Sequence, residues 1–533
     1  MNSRTKILLP LIIAVSLCVG VFIGNIFTFV ATHPVTTISK PKGSYNKINA
    51  LLDLIDRDYV DTVDMRVLME DAIPDILAQL DPHSVYIPAS DLQSVNEGME
   101  GSFSGIGVQF NIQNDTVMIV AVIPNGPSEK LGIQAGDRIV TVADTAFVGE
   151  KITNEGVMKT LRGKKGTQVK VGIKRNGVKD IIPYTITRGD IPINSVDIAY
   201  MITPRTGYIK INMFSARTYD EFMAAIGKLQ ADGAEQLIID LRGNPGGAMD
   251  IAIAMINELL PKNSLIVYTE GKTMPRENFR ADGSGTCKKM KVAVLIDEWS
   301  ASASEIFAGA IQDNDRGAII GRRSFGKGLV QTQIAFPDSS ALRLTIARYY
   351  TPSGRSIQKH YDKGDDADYE NDIANRYLHG EFDVKDSIKQ ADTVQYRTRK
   401  GRVVYGGGGI MPDYFVPRDT LGQSAYFNKL VNYSYIYQFA FDYADRNRQI
   451  LKEYRTWQEL IAYLRTQNLV NEVAQYAESK GVKKNIVGLR KSEKQIENLT
   501  FAYISRLVLG DEAFYPILNE RDKTVLKALE VLK

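Results

Sequence analysis

The chain reads as a multidomain α/β protein: an N-terminal membrane anchor, a helical segment, a small β module, an α/β core and a helical C-terminal region. Three observations predict this. Short runs rich in β-branched residues, separated by glycines and other turn formers, occupy residues 101–188. From Ile191 strands and helices alternate, and Lys291–Asp297 is a near-continuous apolar strand of the kind found in sheets covered on both faces. From Phe427 to Lys533 the sequence is helical in pattern and poor in glycine.

Taken in order, Ile7 to Ala31 is apolar apart from small polar residues such as Ser16, Asn25 and Thr28, and it follows Arg4 and Lys6. Its 25 residues exceed the roughly 20 that span a bilayer and the about 7–15 of a cleaved signal peptide's apolar region. Phe29-Val30-Ala31 is a poor small-x-small cleavage site, and Leu17 is too large to precede a lipid-modified Cys18. Residues 1–31 are therefore expected to be an uncleaved signal anchor. Arg4 and Lys6 on one flank, against a first lysine at Lys40 on the other, point the remainder of the chain away from the cytoplasm. The expected location is a bacterial-type cell membrane, single-pass, with the folded part in the periplasm or cell exterior.

Residues 32–98 form a tether and a helical segment, in which Ile48, Leu51, Leu52 and Ile55 share one face and Leu68, Ala72 and Ile76 another. The β module spans 99–190, with strands at Val108–Ile112, Thr116–Val122, Arg138–Val142 and Gln168–Ile173 and a helix at Asn154–Arg162. The α/β core spans 191–418. It carries strands at Gly207–Met213, Gln236–Asp240, Lys291–Asp297, Ala318–Ile320 and Leu342–Tyr349, and helices at Ala248–Leu260 and Ala303–Asp313. A charged, weakly periodic stretch at 362–400 reads as an insertion, and 419–533 as the helical C-terminal region.

With 44 % hydrophobic and 24 % charged residues the chain is ordinary globular protein. A net charge of +3 over 533 residues gives no sign of a nucleic-acid-binding face. Its two cysteines, Cys18 and Cys287, are not expected to pair, so the fold must stand on packing. The four histidines, His33, His83, His360 and His379, occupy neither a nucleophile-elbow nor a metal-ligand context. No metal or cofactor is expected. A serine nucleophile here needs a base other than histidine, for which lysine is the known substitute.

Ser300-Ala301-Ser302-Ala303-Ser304-Glu305 follows a buried strand and opens a helix. Ser302 with Glu305 three residues on is a capping-box pattern. The same place supplies free N–H groups and positive potential, so a nucleophile at Ser302 would sit beside oxyanion donors. Gly321-Arg322-Arg323-Ser324-Phe325-Gly326-Lys327-Gly328 approaches a phosphate-binding loop, but Gly328 lacks the hydroxyl for magnesium and Leu329–Phe336 alternates like a strand where that loop opens a helix. The remaining readings are a surface lysine in a turn, or a lysine whose flanking glycines let its amine turn into a cleft. Asp240-Leu241-Arg242-Gly243-Asn244-Pro245-Gly246-Gly247 follows a strand; its glycines are either turn formers or donors to an oxyanion that no Cβ blocks.

Together these stretches closely resemble the C-terminal-processing peptidases, or tail-specific proteases, over about residues 45–418. Leu80-Asp81-Pro82-His83-Ser84, the 240–247 stretch, Ser302-Ala303-Ser304-Glu305 and Phe325-Gly326-Lys327-Gly328-Leu329-Val330-Gln331 carry the resemblance, in order. It implies a serine endopeptidase with Ser302 as nucleophile, Lys327 as general base and Gln331 orienting the lysine. The N–H of Ala303 and of a glycine in Gly246-Gly247 would form the oxyanion hole. Four residues of extended strand span about 13 Å, so Gln331 meets the lysine amine only if the chain bends near Gly328 or the side chains lean together. The β module resembles a PDZ domain: Gly126–Ile139 matches its most recognisable stretch, and Gly105, Ile106, Gly107 and Val108 match the loop that takes a chain-terminal carboxylate while the tail adds a strand to a sheet edge. The implied partners are proteins or peptides with free C-termini, the inner membrane through the anchor, and a second copy or an adaptor. The alternative is a non-catalytic PDZ scaffold, which would not need Ser302, Lys327 and Gln331 intact. The 362–400 insertion and the tail from 419 depart from the minimal family core.

Overall fold

The computed structural model describes residues 47–113, 115–364, 367–388 and 394–533. The expected anchor and tether lie outside these. No helix among the described residues is long and apolar enough to cross a membrane.

The chain divides into two compact units, one running to Leu92 and including Gln331–Thr345, the other comprising Gln93–Val330 and Ile346–Lys533. The first contains helices Lys47–Asp58 and Met65–Ala78. Asp64 caps the second by accepting from Arg66 and Val67 N–H. Strand Val85–Ile87 pairs antiparallel with Ala341–Arg343. The turn before it is organised by Asp81, whose carboxylate accepts from His83 N–H, Ser84 N–H and Ser84 Oγ at 2.9, 3.0 and 2.6 Å. Leu-Asp-Pro-His-Ser is thus a self-bonded turn with a carboxylate at its centre.

In the second unit the β module is a sheet in the order Val108–Gln113, Thr116–Val122, Arg138–Val142, Gln168–Lys174, Ile182–Thr187. Helix Asn154–Leu161 packs Val157 and Leu161 into its core beside Val117, Ile119 and Ile139. Val108–Gln113 is the end strand, so one row of its backbone groups is unpaired within the sheet.

The α/β core is built on a six-stranded sheet: Val196–Thr203, Thr206–Ile211, Gln236–Asp240, Lys291–Ile296, Ala318–Gly321, Tyr414–Phe415. The first pair is antiparallel and the rest are parallel. Val292 to Ile296 are all buried, which is why that strand is apolar on both faces. Against one face lie Phe222, Ile226 and Leu229 of helix Thr218–Ala231, Met255 and Ile256 of Met249–Asn257, and Ile306, Phe307 and Ile311 of Ala303–Asp313. The other face is covered by Val525, Ala528 and Leu532 of the last helix, Lys523–Leu532. That helix therefore belongs to the core's packing although it lies far along the C-terminal region. Residues 425–519 pack around a separate cluster including Leu430, Phe439, Leu460, Val473, Ile496 and Phe501.

The 362–400 stretch holds a helix, Ala367–Leu378, and the start of a small hairpin, Gln395–Arg397 with Val403–Tyr405. Its charges are not all solvated: Arg376 and Glu381 are buried.

Candidate active site

Parallel strands Gln236–Asp240 and Lys291–Ile296 lie side by side, with Asp240 opposite Leu295. Their carboxyl ends release the two glycine- and serine-bearing loops next to each other, which is where open α/β sheets form sites. Asp240 anchors the first loop. Burial pushes its carboxyl up, but the Arg242 and Lys210 charges overrule this and hold it well below the usual carboxylate range. Arg242 spans Asp240 (Nη2–Oδ2 2.6 Å) and Asp522, the N-cap of the last helix (2.7 Å).

Asn244 fastens the loops together. Its carbonyl accepts from Ala301 N–H at 3.0 Å and Ser304 Oγ at 2.9 Å, and its amide donates to Ile211 O at 3.1 Å. Its Oδ1 accepts from Gly246 N–H at 2.8 Å. That bond removes Gly246 as an oxyanion donor, a correction to the shared expectation for the two glycines. Gly246 acts by close approach instead: at φ +100° its Cα faces Ser302, and a Cβ there would stand 2.8 Å from Ser302 Cβ and 2.9 Å from Ala303 N. Among the described residues, the N–H groups of Gly247 and Ala303 donate to no turn, loop or side-chain acceptor.

Ser302 has φ 55° and ψ −115°, a conformation that costs a serine free energy and persists only where its surroundings fix it. With Glu305 at the third helical position it forms the expected capping box. The helix start is held by Glu305: its carboxylate accepts from Ser302 N–H at 2.9 Å, while Glu305 N–H donates to the Ser302 carbonyl at 2.8 Å.

Glu305 also holds the lysine loop. Oε1 accepts from Ser324 Oγ at 2.5 Å and Gly326 N–H at 2.7 Å, and Oε2 from Lys327 N–H at 2.8 Å. One oxygen therefore takes the N–H of both Ser302 and Lys327. Tyr349 mirrors it on the carbonyl side, its hydroxyl lying 3.0 Å from Ser302 O and also against Lys327 O. Both residues are buried. Burial pushes the Glu305 carboxyl up to about 7 although four donors pull it down. No local pattern marks Glu305 or Tyr349 as joining the two loops.

The loop from Arg323 to Gly328 is braced further. Arg376 donates to Ser324 O at 3.0 Å and Arg323 O at 2.7 Å, and pairs with Glu381 at 2.9 Å, which in turn takes Arg323 at 2.6 Å. Leu329–Ala335 is a strand, so no helix follows the glycine-lysine stretch and the phosphate-loop reading falls. Gln331 falls in the first unit, where its amide donates to the His83 carbonyl of the Asp81 turn.

At the β module, Gly107 has φ +77°, a conformation that strains any other residue, and a Cβ there would crowd Ile191 Cδ1 at 3.0 Å and Pro127 Cδ at 3.2 Å. The Ile106 carbonyl accepts from Ser128 N–H and Oγ at 3.1 and 2.6 Å, and the Gly107 carbonyl from Ile123 N–H at 3.0 Å. Among the described residues, the N–H groups of Ile106 and Gly107 donate to no turn, loop or side-chain acceptor. Gly105 ends strand Ser102–Gly105, and Val108 begins the end strand of the sheet.

These features define a serine hydrolase core joined to a peptide-binding β module, and sequence comparison identifies both. Residues 205–370 match Peptidase family S41 and residues 104–182 match the PDZ domain. Residues 426–510 match a family of unknown function, DUF8443. The chain is 35 % identical over 346 residues to a carboxy-terminal-processing protease of Bartonella bacilliformis, covering 64 % of this chain and 78 % of that one. It is 37 % identical over 316 residues to the carboxy-terminal processing protease CtpA of Bacillus subtilis, covering 59 % and 67 %. Among solved structures, a photosystem II D1 C-terminal processing protease aligns at 26 % identity over 70 % of this chain and 93 % of that one, with a TM-score of 0.35. The chain belongs to peptidase family S41; it is a serine peptidase that carries a PDZ domain.

Proposed function

We propose that the chain is a tail-selective endopeptidase in which Ser302 is the nucleophile and Lys327 the general base. The observation that carries this reading is the single Glu305 oxygen accepting both their N–H groups, which makes the two residues neighbours despite 25 positions of separation. Ser302 Oγ attacks the scissile carbonyl carbon and its proton passes to the neutral Lys327 amine. The N–H groups of Ala303 and Gly247 receive the oxyanion. The tetrahedral species collapses, the lysine returns the proton to the leaving amine, and water then hydrolyses the acyl-enzyme by the same route. The family resemblance gives Gln331 the role of orienting the lysine amine; the Gln331 amide itself donates to the His83 carbonyl.

The N–H groups of Ile106 and Gly107, with Gly105 and Val108 flanking them, take the substrate's terminal carboxylate while its tail adds to the edge of Val108–Gln113. An N-terminal anchor over residues 7–31 would hold these domains on the outer side of a bacterial-type membrane. The test compares Ser302→Ala and wild type on one peptide made with a free and with an amidated C-terminus. The variant should bind the free acid and hydrolyse nothing, and wild type should cleave the amide markedly more slowly. Substantial hydrolysis by the purified variant removes Ser302 as nucleophile, and equal cleavage of acid and amide removes tail reading.

A further inference from the structure

The PDZ domain's end strand runs directly into the C-terminal helices. Asn111 and Gln113, at the far end of Val108–Gln113, line a cavity of about 410 Å³ whose other wall comes from helices Tyr435–Arg446 and Leu469–Ser479. The Gln113 amide donates to the Asp442 carboxylate, joining the walls. A neighbouring contact keeps them in register: Arg448 donates to the Ala135 carbonyl and Asp445 pairs with Arg138 at 3.5 Å.

We propose that this cavity is a second subsite for the substrate tail, reading an aromatic side chain with a polar edge, tyrosine or tryptophan, upstream of the residues the PDZ loop reads. The proposal rests on tail reading as set out above. A tail whose carboxylate sits at Ile106–Gly107 and which adds antiparallel to the end strand advances about 3.4 Å per residue toward Gln113. Residues about five to seven before the C-terminus, counted along that strand, arrive at the cavity.

Its chemistry selects the side chain. Tyr437 and Tyr476 line the cavity, and aromatic groups pack favourably against such rings, offset or edge-on. Asp442 offers an acceptor, and Lys480, 5.6 Å over the Tyr476 ring, a donor. Neither belongs to an ion pair among the described residues. A cationic side chain would meet Lys480 and an anionic one Asp442, so a neutral ring with an O–H or N–H for Asp442 fits best.

The experiment uses full-length Ser302→Ala protein and fluorescent peptides that share their last four residues and a free carboxylate. One carries tyrosine six residues before its end, a second phenylalanine there, a third alanine, and a fourth is the four-residue tail alone. Anisotropy should rank tyrosine above phenylalanine above alanine, with tyrosine about five- to tenfold tighter than alanine and alanine equal to the short tail. Tyr476→Ala should bring the tyrosine peptide to the alanine value without changing the short tail. Asp442→Asn, which keeps shape and an acceptor for Gln113, should narrow the tyrosine-over-phenylalanine preference while its melting temperature reports an intact fold. Equal binding of tyrosine and alanine peptides, or variants that weaken the short tail as much as the long one, would overturn the subsite alone. Binding that is indifferent to amidation of the short tail would overturn tail reading and the subsite with it.

Discussion

Glu305→Gln isolates the residue that joins the two catalytic loops. The carboxylate accepts four donors, two per oxygen. Glutamine keeps the shape and one accepting oxygen, but its NH₂ would face two donors and satisfy neither. Leaving a buried donor unsatisfied costs about 1–3 kcal/mol each, so the variant should lose about 2–6 kcal/mol of stability. The catalytic loss should be larger than stability explains. If Ser302 and Lys327 separate by about 1 Å, turnover should fall on the order of 100-fold with KM little changed.

The pH profile supplies an independent sign. Burial raises the Glu305 carboxyl to about 7 from 4.5, so the folded state holds this proton more tightly than the unfolded chain. Its contribution to stability is therefore full below pH 4.5 and is lost as pH rises through about 7. Catalysis runs the other way, because only the ionised group accepts all four donors. Wild-type kcat should rise through about pH 7, and in Glu305→Gln that limb should vanish. Steady-state hydrolysis across pH with thermal melts would measure both. A glutamine variant with wild-type kcat, melting temperature and acidic limb would refute the reasoning.

Three further outcomes are expected. Lys327→Arg should be as inactive as Lys327→Ala in peptide hydrolysis, because guanidinium keeps its proton at all working pH values; substantial turnover by the arginine variant would make Lys327 a binding cation. Arg376→Met should cost about 3–5 kcal/mol in denaturant unfolding, since Glu381 loses one of its two arginines and the Arg323 and Ser324 carbonyls lose their donor; unchanged stability would place that network outside the fold's support. Asp522→Ala should lose an N-cap worth about 0.5–2 kcal/mol and lower hydrolysis through Arg242, and full activity would separate the last helix from the site.

The parts of the site legible in sequence were those made within one loop. A buried strand followed by Ser302 and a helix, and glycines after Asp240, are local patterns with local causes. The donors' assignment was partly legible: Asn244 two residues before Gly246 is an Asx-turn signal, and an N–H so engaged serves no oxyanion. The capping-box pattern marks Glu305 as a local cap but not its tertiary purpose, binding residues 19 to 22 positions away. Arg376 and Glu381 sit in a polar stretch, where charged side chains are ordinarily solvated; pairing with each other and bonding to Arg323, more than 50 residues distant, lets them be buried. Helix Thr218–Ala231 is missing from the sequence reading, which took no element between the first two core strands.

The two regions that depart from the minimal family core both end on the loops that form the site. Arg376 grips the Arg323 and Ser324 carbonyls and Glu381 the Arg323 side chain, just before Lys327, and Asp522 grips Arg242 just before Gly246 and Gly247. Those loops leave the sheet at strand ends, where no ladder of backbone bonds fixes them, and Ser302 stands between them in a conformation its neighbours must impose. Buried ion pairs are weak sources of net stability, because desolvation offsets most of their attraction. Their geometry is nevertheless specific, since a bidentate arginine fixes distance and angle together. The insertion and the last helix therefore act on loop position more than on overall stability. A substitution in either that left the fold intact should then lower kcat before it raised KM.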